Sequence, residues 1–236
     1  MPRSQTPRVC RMPRANRRVA ISVALIIGQI LSASVGAGSL GKSVTKNPLS
    51  KKITAFEENA PYMSEMLLRI SQKYGVRIGV DLGPKSPHSP IAVYVAQGNV
   101  EDLISATVAK TPGYKWTEVG GVVNIGPETD ATTLLDIVIP HFQVKHATPA
   151  DIHSLICSLP EVKLWLEQNH LEERTAFVSD ILIGKNGVTN QPRVSLNVRN
   201  MTLRTIMNRM VKSPGFSSWM VGRWGDRDQY LTIGVN

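Results

Sequence analysis

The stretch Pro192–Phe216, PRVSLNVRNMTLRTIMNRMVKSPGF, holds a strand, a helix and a stop within one short run. Val194, Leu196 and Val198 alternate with Ser195, Asn197 and Arg199, the period of a strand with one buried face. Leu203, Ile206, Met207 and Met210 then recur at helical spacing, which predicts that they face a core. The period changes across Asn200-Met201-Thr202, where the Thr202 hydroxyl can cap a helix by accepting from a free backbone N–H. Ser213-Pro214-Gly215 cannot continue it, since proline lacks the N–H that the next turn needs.

An earlier stretch, Pro90–Tyr114, repeats the pattern. Ile91, Val93 and Val95 alternate; Val100, Leu103, Ile104 and Val108 follow at helical spacing. Its stop, Lys110-Thr111-Pro112-Gly113-Tyr114, matches Lys212-Ser213-Pro214-Gly215-Phe216, and each copy continues into an aromatic segment with Trp116 or Trp219 and a short apolar strand, Val122–Ile125 or Leu231–Ile233. Two copies of one unit, about a hundred residues apart, are therefore expected.

The remainder of the chain arranges itself around these copies. Met1–Arg18 carries six arginines and no acidic residue, and Val19–Ala37 has no charge, the form of a secretory signal cleaved after Ala37. The apolar run is also long enough to remain as an uncleaved membrane anchor. The formal charge of +9 comes largely from this leader. Without it 21 basic residues face 18 acidic ones, a net of +3, which gives no basic stripe for nucleic acid. Gly36–Ser43 spells G-x-x-x-x-G-K-S, but a phosphate loop needs a strand before it and a helix after it, and neither is expected here.

After a linker at 38–52, the first domain is expected at 53–126. Ile53–Phe56 reads as a strand, Met63, Met66, Leu67, Ile70 and Tyr74 as a helix stopped by Gly75, and Val76, Ile78 and Val80 as the next strand. The second domain is expected at 134–236, with Leu135, Ile137 and Ile139 as its first strand and a helix capped at Thr148-Pro149-Ala150-Asp151 and ended by Pro160. An insertion at 161–191 is expected, without counterpart in the first half. Within it Val162, Leu164, Trp165 and Leu166 suggest a short helix and Phe177–Ile183 a strand. The fold class is α+β: two tandem small domains, each with two helices packed on short mixed sheets.

Val194-Ser195-Leu196-Asn197-Val198-Arg199-Asn200-Met201-Thr202-Leu203-Arg204, with a looser version at Val93–Leu103, resembles the short N-terminal domain shared by secretins and TonB-dependent receptors, called STN. The resemblance covers most of Ile53–Asn236 in two passes. It implies a small α+β module that docks to other proteins of the bacterial envelope and does not catalyse. The sequence given reaches Asn236 with neither a secretin pore segment nor a receptor barrel, so the module alone is expected to carry over.

No catalytic motif contradicts this. His153 and Cys157 lie four apart on one helix, with His141 and His146 near in sequence, but packing is the expectation there, and neither a metal nor a cofactor is expected. Cys10 falls in the leader, which leaves Cys157 without a disulfide partner. The acidic pairs Glu172-Glu173 and Asp226/Asp228 read as solvated surface. Trp224, Trp219 and Tyr230, on a hairpin around Gly225–Asp228, are the candidate partner-binding residues, Trp219 being the one farther from the turn. The expected partner is an envelope protein. A small-ligand site or an enzyme active site between the two domains is the alternative.

Overall fold

The computed structural model describes residues 47–84, 89–128, 133–173, 191–224 and 230–235, with Trp224 described by its backbone alone. The leader and most of the linker lie outside the described residues, as does the strand expected at Phe177–Ile183.

A 3-10 turn at Pro48–Ser50 opens the described chain and places Leu49 in the first core. Then come β1 (Lys52–Ile53), β2 (Phe56–Ala60), α1 (Met63–Tyr74), β3 (Ile78–Asp81), β4 (Ile91–Val95), β5 (Gly98–Asn99), α2 (Val100–Ala109), β6 (Tyr114–Val119) and β7 (Val122–Pro127). The helices form where the sequence period places them. Met63, Met66, Leu67 and Ile70 bury one face of α1, and Gly75 ends it in the left-handed conformation at φ 72°, which glycine adopts without Cβ strain. Asn99 starts α2 through a reciprocal capping box: its Oδ1 accepts from Asp102 N (3.0 Å), and Asp102 Oδ2 accepts from Asn99 N (2.8 Å).

The second half runs through a 3-10 turn at Leu134–Asp136, then β8 (Val138–Ala147), α3 (Pro149–Ser158), α4 (Pro160–Gln168), β9 (Glu172–Glu173), β10 (Val194–Thr202), α5 (Leu203–Met210), β11 (Ser218–Trp224) and β12 (Tyr230–Val235). The strand expected to begin at Leu135 starts at Val138 instead. Leu134 and Leu135 are both buried, which a strand with one buried face cannot do with neighbours, and Thr133 caps the turn with Asp136. Pro160 ends α3 as expected and at once begins α4 at the first helical position, where its missing N–H costs nothing. Thr202 caps α5 by accepting from Thr205 N at 3.3 Å.

The pairings of the two halves match one for one. β2 pairs antiparallel with β4 and β8 with β10; β7 lies between antiparallel β6 and parallel β3, and β12 between antiparallel β11 and parallel β9. Glu172–Glu173 thus occupies the place of β3, so part of the segment expected to be an insertion does have a counterpart. The two sets join where β3 pairs parallel with β11, giving one six-stranded sheet in the order β6-β7-β3-β11-β12-β9.

Two cores lie on opposite faces of this sheet, each built from one half except that Val122 of β7 packs into the second. Ile78 and Val80 of β3 point into the first core and Met220 of β11 packs beside them, whereas Trp219 and Val221, one residue either side, belong to the second. The helix stripe read from the sequence is core: Leu203, Ile206, Met207 and Met210 are all fully buried. This is an α+β fold. Among the described residues no helix is long and apolar enough to cross a membrane.

Candidate functional site

The joint between the halves is a parallel strand pairing. Ile78, Gly79, Val80 and Asp81 stand opposite Ser218, Trp219, Met220 and Val221. Backbone bonds extend the ladder at both ends, Ile78 N to Ser217 O (3.1 Å) and Leu82 N to Val221 O (2.8 Å), and Arg77 Nε donates to Val211 O (2.9 Å). The indole of Trp219 lies over Gly79, where any side chain would collide: a Cβ there would fall 2.0 Å from Trp219 Cε2. Trp219 Nε1 donates to the buried Asn208 Oδ1 at 2.7 Å, which satisfies the one polar atom of the ring.

Of the three aromatic residues expected to meet a partner, Trp219 is fully buried and so has no surface to offer. The indole is enclosed because β11 is an interior strand of the six, not one arm of a free hairpin. Tyr230 is half-buried, and its backbone stands opposite both Trp224 and Glu172. The side chain of Trp224 and the turn at 225–229 lie outside the described residues. With β3 on one side and β9 on the other, neither strand of the hairpin has its edge clear along its length.

The clear edge is β6. Among the described residues it pairs with β7 alone, and it holds in the first half the position that β11 holds in the second. Its outer side therefore corresponds to the one on which β11 carries β3. Lys115, Thr117, Glu118 and Val119 are exposed along it, Val119 at 53 %, while Trp116 is half-buried, donating from Nε1 to Ser105 Oγ (3.2 Å).

A cleft of about 220 Å³ lies between the halves, lined by Asp81, Lys115, Thr117, Asn124, Asp136 and Arg204 among others. Arg204 spans it, 3.8 Å from Asp81 Oδ2 and 3.4 Å from Asp136 Oδ1. Burial pushes the Asp81 carboxyl above its ordinary value, against the pull of the Gly83 N–H and the Arg204 guanidinium. Burial, and less strongly the Asp81 charge, pushes the Tyr114 hydroxyl up to about 12. Burial also acts on Asp136, but there the Thr133 N–H and hydroxyl and Arg204 outweigh it and hold the carboxyl below the ordinary value. Arg204, Asp81 and Asp136 thus form an internal ion network in the cleft, and among the described residues the side-chain atom Asn124 Oδ1 lines it buried and without a hydrogen-bond partner.

On the far side of the second half, α3 brings His153 and Cys157 onto one face, and β9 adds Glu173. The ligand-type atoms of the three all lie within 4.8 Å of one another. The sequence spacing showed the first two; the third was invisible because Glu172-Glu173 carries no strand pattern. His141 and His146 are elsewhere, on the β8–β10 ribbon: His141 Nε2 meets Asn197 Oδ1 at 3.0 Å, and His146 sits at φ 52° with its N–H donated to Ser195 Oγ.

The search for relatives found no family model, no curated protein and no solved structure that matches the chain.

Proposed function

We propose that the protein is an exported, non-catalytic docking module of the bacterial envelope, a tandem of STN-like units that binds its partner by strand addition at the outer edge of β6. The observation that carries this reading is the β3–β11 joint. One unit of this chain already receives a strand from its neighbour in parallel register, and β6 is the corresponding edge of the other unit, with no described strand on it. Main-chain hydrogen bonds supply affinity in such contacts and the side chains on either face supply choice of partner. The charge-free run Val19–Ala37 behind an arginine-rich start is what supports export.

The alternative, a ligand or substrate site between the halves, has weaker support. A cleft of about 220 Å³ falls below the about 300–1,000 Å³ usual for small-molecule sites, and its charges already face each other.

Photo-crosslinking in intact envelope preparations tests the proposal. A crosslinker at Glu118, on β6, should yield a discrete adduct identifiable by mass spectrometry, whereas one at Leu164, exposed on α4, should not. Equal yields at both positions, or none at Glu118, would remove β6 as the docking edge. N-terminal sequencing of the same fraction should find the chain beginning at or near Gly38; an intact Met1 on a cytoplasmic protein would end the export reading.

A further inference from the structure

We infer that His153, Cys157 and Glu173 form a binding site for a zinc-class divalent cation, with three protein ligands and a fourth position open toward solvent. The reasoning begins with the tautomer of His153. Its Nδ1 lies 2.6 Å from the carbonyl oxygen of Ile233, and a carbonyl can only accept, so Nδ1 carries a proton. In a neutral imidazole Nε2 then presents its lone pair. What it faces, at 3.1 Å, is Glu173 Oε1, an atom that as carboxylate also only accepts. Two acceptors at that separation need something positive between them.

A second proton on His153 would answer this for the His153–Glu173 pair alone; what points to a cation is that Cys157, a third group of ligand type, converges on the same place. Cys157 Sγ lies 3.9 Å from the same Nε2. With zinc–nitrogen and zinc–oxygen distances of about 2.0–2.2 Å and zinc–sulfur of about 2.3 Å, ligand atoms around a tetrahedral centre stand about 3.3–3.6 Å apart. The observed 3.1 and 3.9 Å bracket that spacing, and all three ligand atoms lie within 4.8 Å of one another. Cys157 and His153, four apart on α3, present both groups from one face of a rigid helix.

The supporting contact is also in place. A metal-ligating histidine ordinarily donates its other N–H to a carbonyl or carboxylate, which fixes the ring, and the Ile233 carbonyl does this here. One thiol, one imidazole and one carboxylate make a borderline-soft donor set suited to zinc and poorly suited to magnesium or calcium. His153 and Cys157 are buried, while the Glu173 side chain is 38 % exposed, so the cation would enter past the carboxylate. Binding must displace a proton: burial, followed by the charge and hydrogen bond of Glu173, pushes the free thiol up to about 12. Metal uptake therefore converts the thiol to a bound thiolate and releases one proton to solvent.

This inference is independent of the docking edge, which lies at the other end of the sheet. The test uses the full chain with Cys10→Ser, so that Cys157 is the sole thiol, stripped of metal and titrated with Zn²⁺ by calorimetry and with Co²⁺ by absorbance. One equivalent should bind, with a thiolate-to-cobalt charge-transfer band. Cys157→Ser should abolish that band. Glu173→Gln, which keeps the side chain's size and one acceptor oxygen, should weaken binding by more than the about 10–100-fold that loss of a supporting contact costs. Absence of the band in the folded parent protein would overturn the inference without recourse to any variant. So would an affinity unchanged in Glu173→Gln.

Discussion

Alanine at Gly79 is the most direct challenge to the joint between the two halves. Two effects oppose each other there. Removing a glycine from a strand favours the folded state by about 0.5–1 kcal/mol, because alanine has less backbone freedom to lose. Against this, the new Cβ would stand 2.0, 2.2 and 2.5 Å from Cε2, Cζ2 and Nε1 of Trp219, and overpacking of that kind costs about 1–3 kcal/mol when the neighbour can adjust. Trp219 has little room to do so. It is fully buried, and swinging the ring away breaks the 2.7 Å bond to Asn208, leaving buried polar atoms unpaired at about 1–3 kcal/mol. The second set of effects wins, and we expect a net loss of about 2–4 kcal/mol.

Urea unfolding, followed by circular dichroism, measures that loss; a double-mutant cycle assigns it. Trp219→Leu removes the ring that collides, so the pair Gly79→Ala with Trp219→Leu should be less destabilised than the sum of the singles by about 1 kcal/mol or more. Amide exchange adds a local reading: the Ile78 and Leu82 N–H groups, bonded to Ser217 O and Val221 O, should lose protection in Gly79→Ala before those of α1 do. If Gly79→Ala is as stable as the parent, or if the two single costs add within about 0.3–0.5 kcal/mol, the indole does not hold the joint in the way described.

Three further outcomes are expected. Met207→Ala, at a fully buried position of α5, should cost about 2–5 kcal/mol in denaturant unfolding; a change near zero would mean that this helix face is not core. Thr148→Ala removes the side chain that accepts from Asp151 N and should cost about 1 kcal/mol, seen as a lowered midpoint with an unchanged denaturant slope. Asp81 titrates above the ordinary 3.8 in the folded chain, so the fold takes up its proton more readily than the unfolded chain does. Wild type should therefore gain stability relative to Asp81→Asn as pH falls from neutral through the raised value toward 3.8, and thermal melts across that window should show it. A flat difference would place Asp81 in a well-solvated setting, and the opposite slope in a well-paired one.

Local structure was legible in the sequence wherever one residue's neighbours in the chain decide it. The alternation of Val194, Leu196 and Val198, the stripe Leu203–Met210, the cap at Thr202 and the stop at Gly75 all appear where the pattern placed them. Reading failed where partners distant in the chain decide. Leu135, Ile137 and Ile139 alternate as a strand would, yet the Thr133–Asp136 cap and the burial of Leu134 turn the start of that run into a 3-10 turn. Glu172-Glu173 is a strand only because Tyr230 and Leu231 pair with it. The joint itself left one sign, Gly79 between Ile78 and Val80: a glycine inside an apolar strand marks a place where something approaches closely. The third candidate metal ligand showed only as half of the acidic pair Glu172-Glu173, read as solvated surface, since its position depends on the unmarked strand β9.

The two ends of the sheet are not equivalent, and the difference bears on what can dock. At one end, among the described residues, β9 offers two, both glutamates and both exposed. A short edge with charge at every position is poor at accepting another strand, because pairing would crowd like charges and yield few hydrogen bonds. At the other end β6 is six residues long, with one lysine, one glutamate and an exposed Val119. Among the described residues, joining the halves through β3 has left uncovered the longer and less charged of the two terminal edges. Had the copies been joined the other way, with β9 on β6, the remaining edges would be β3 and β11, both more apolar than what the chain now presents. Among the described residues, the arrangement hides the edges most prone to indiscriminate pairing inside the molecule and keeps one moderate edge outside, the edge on which the proposed docking would depend.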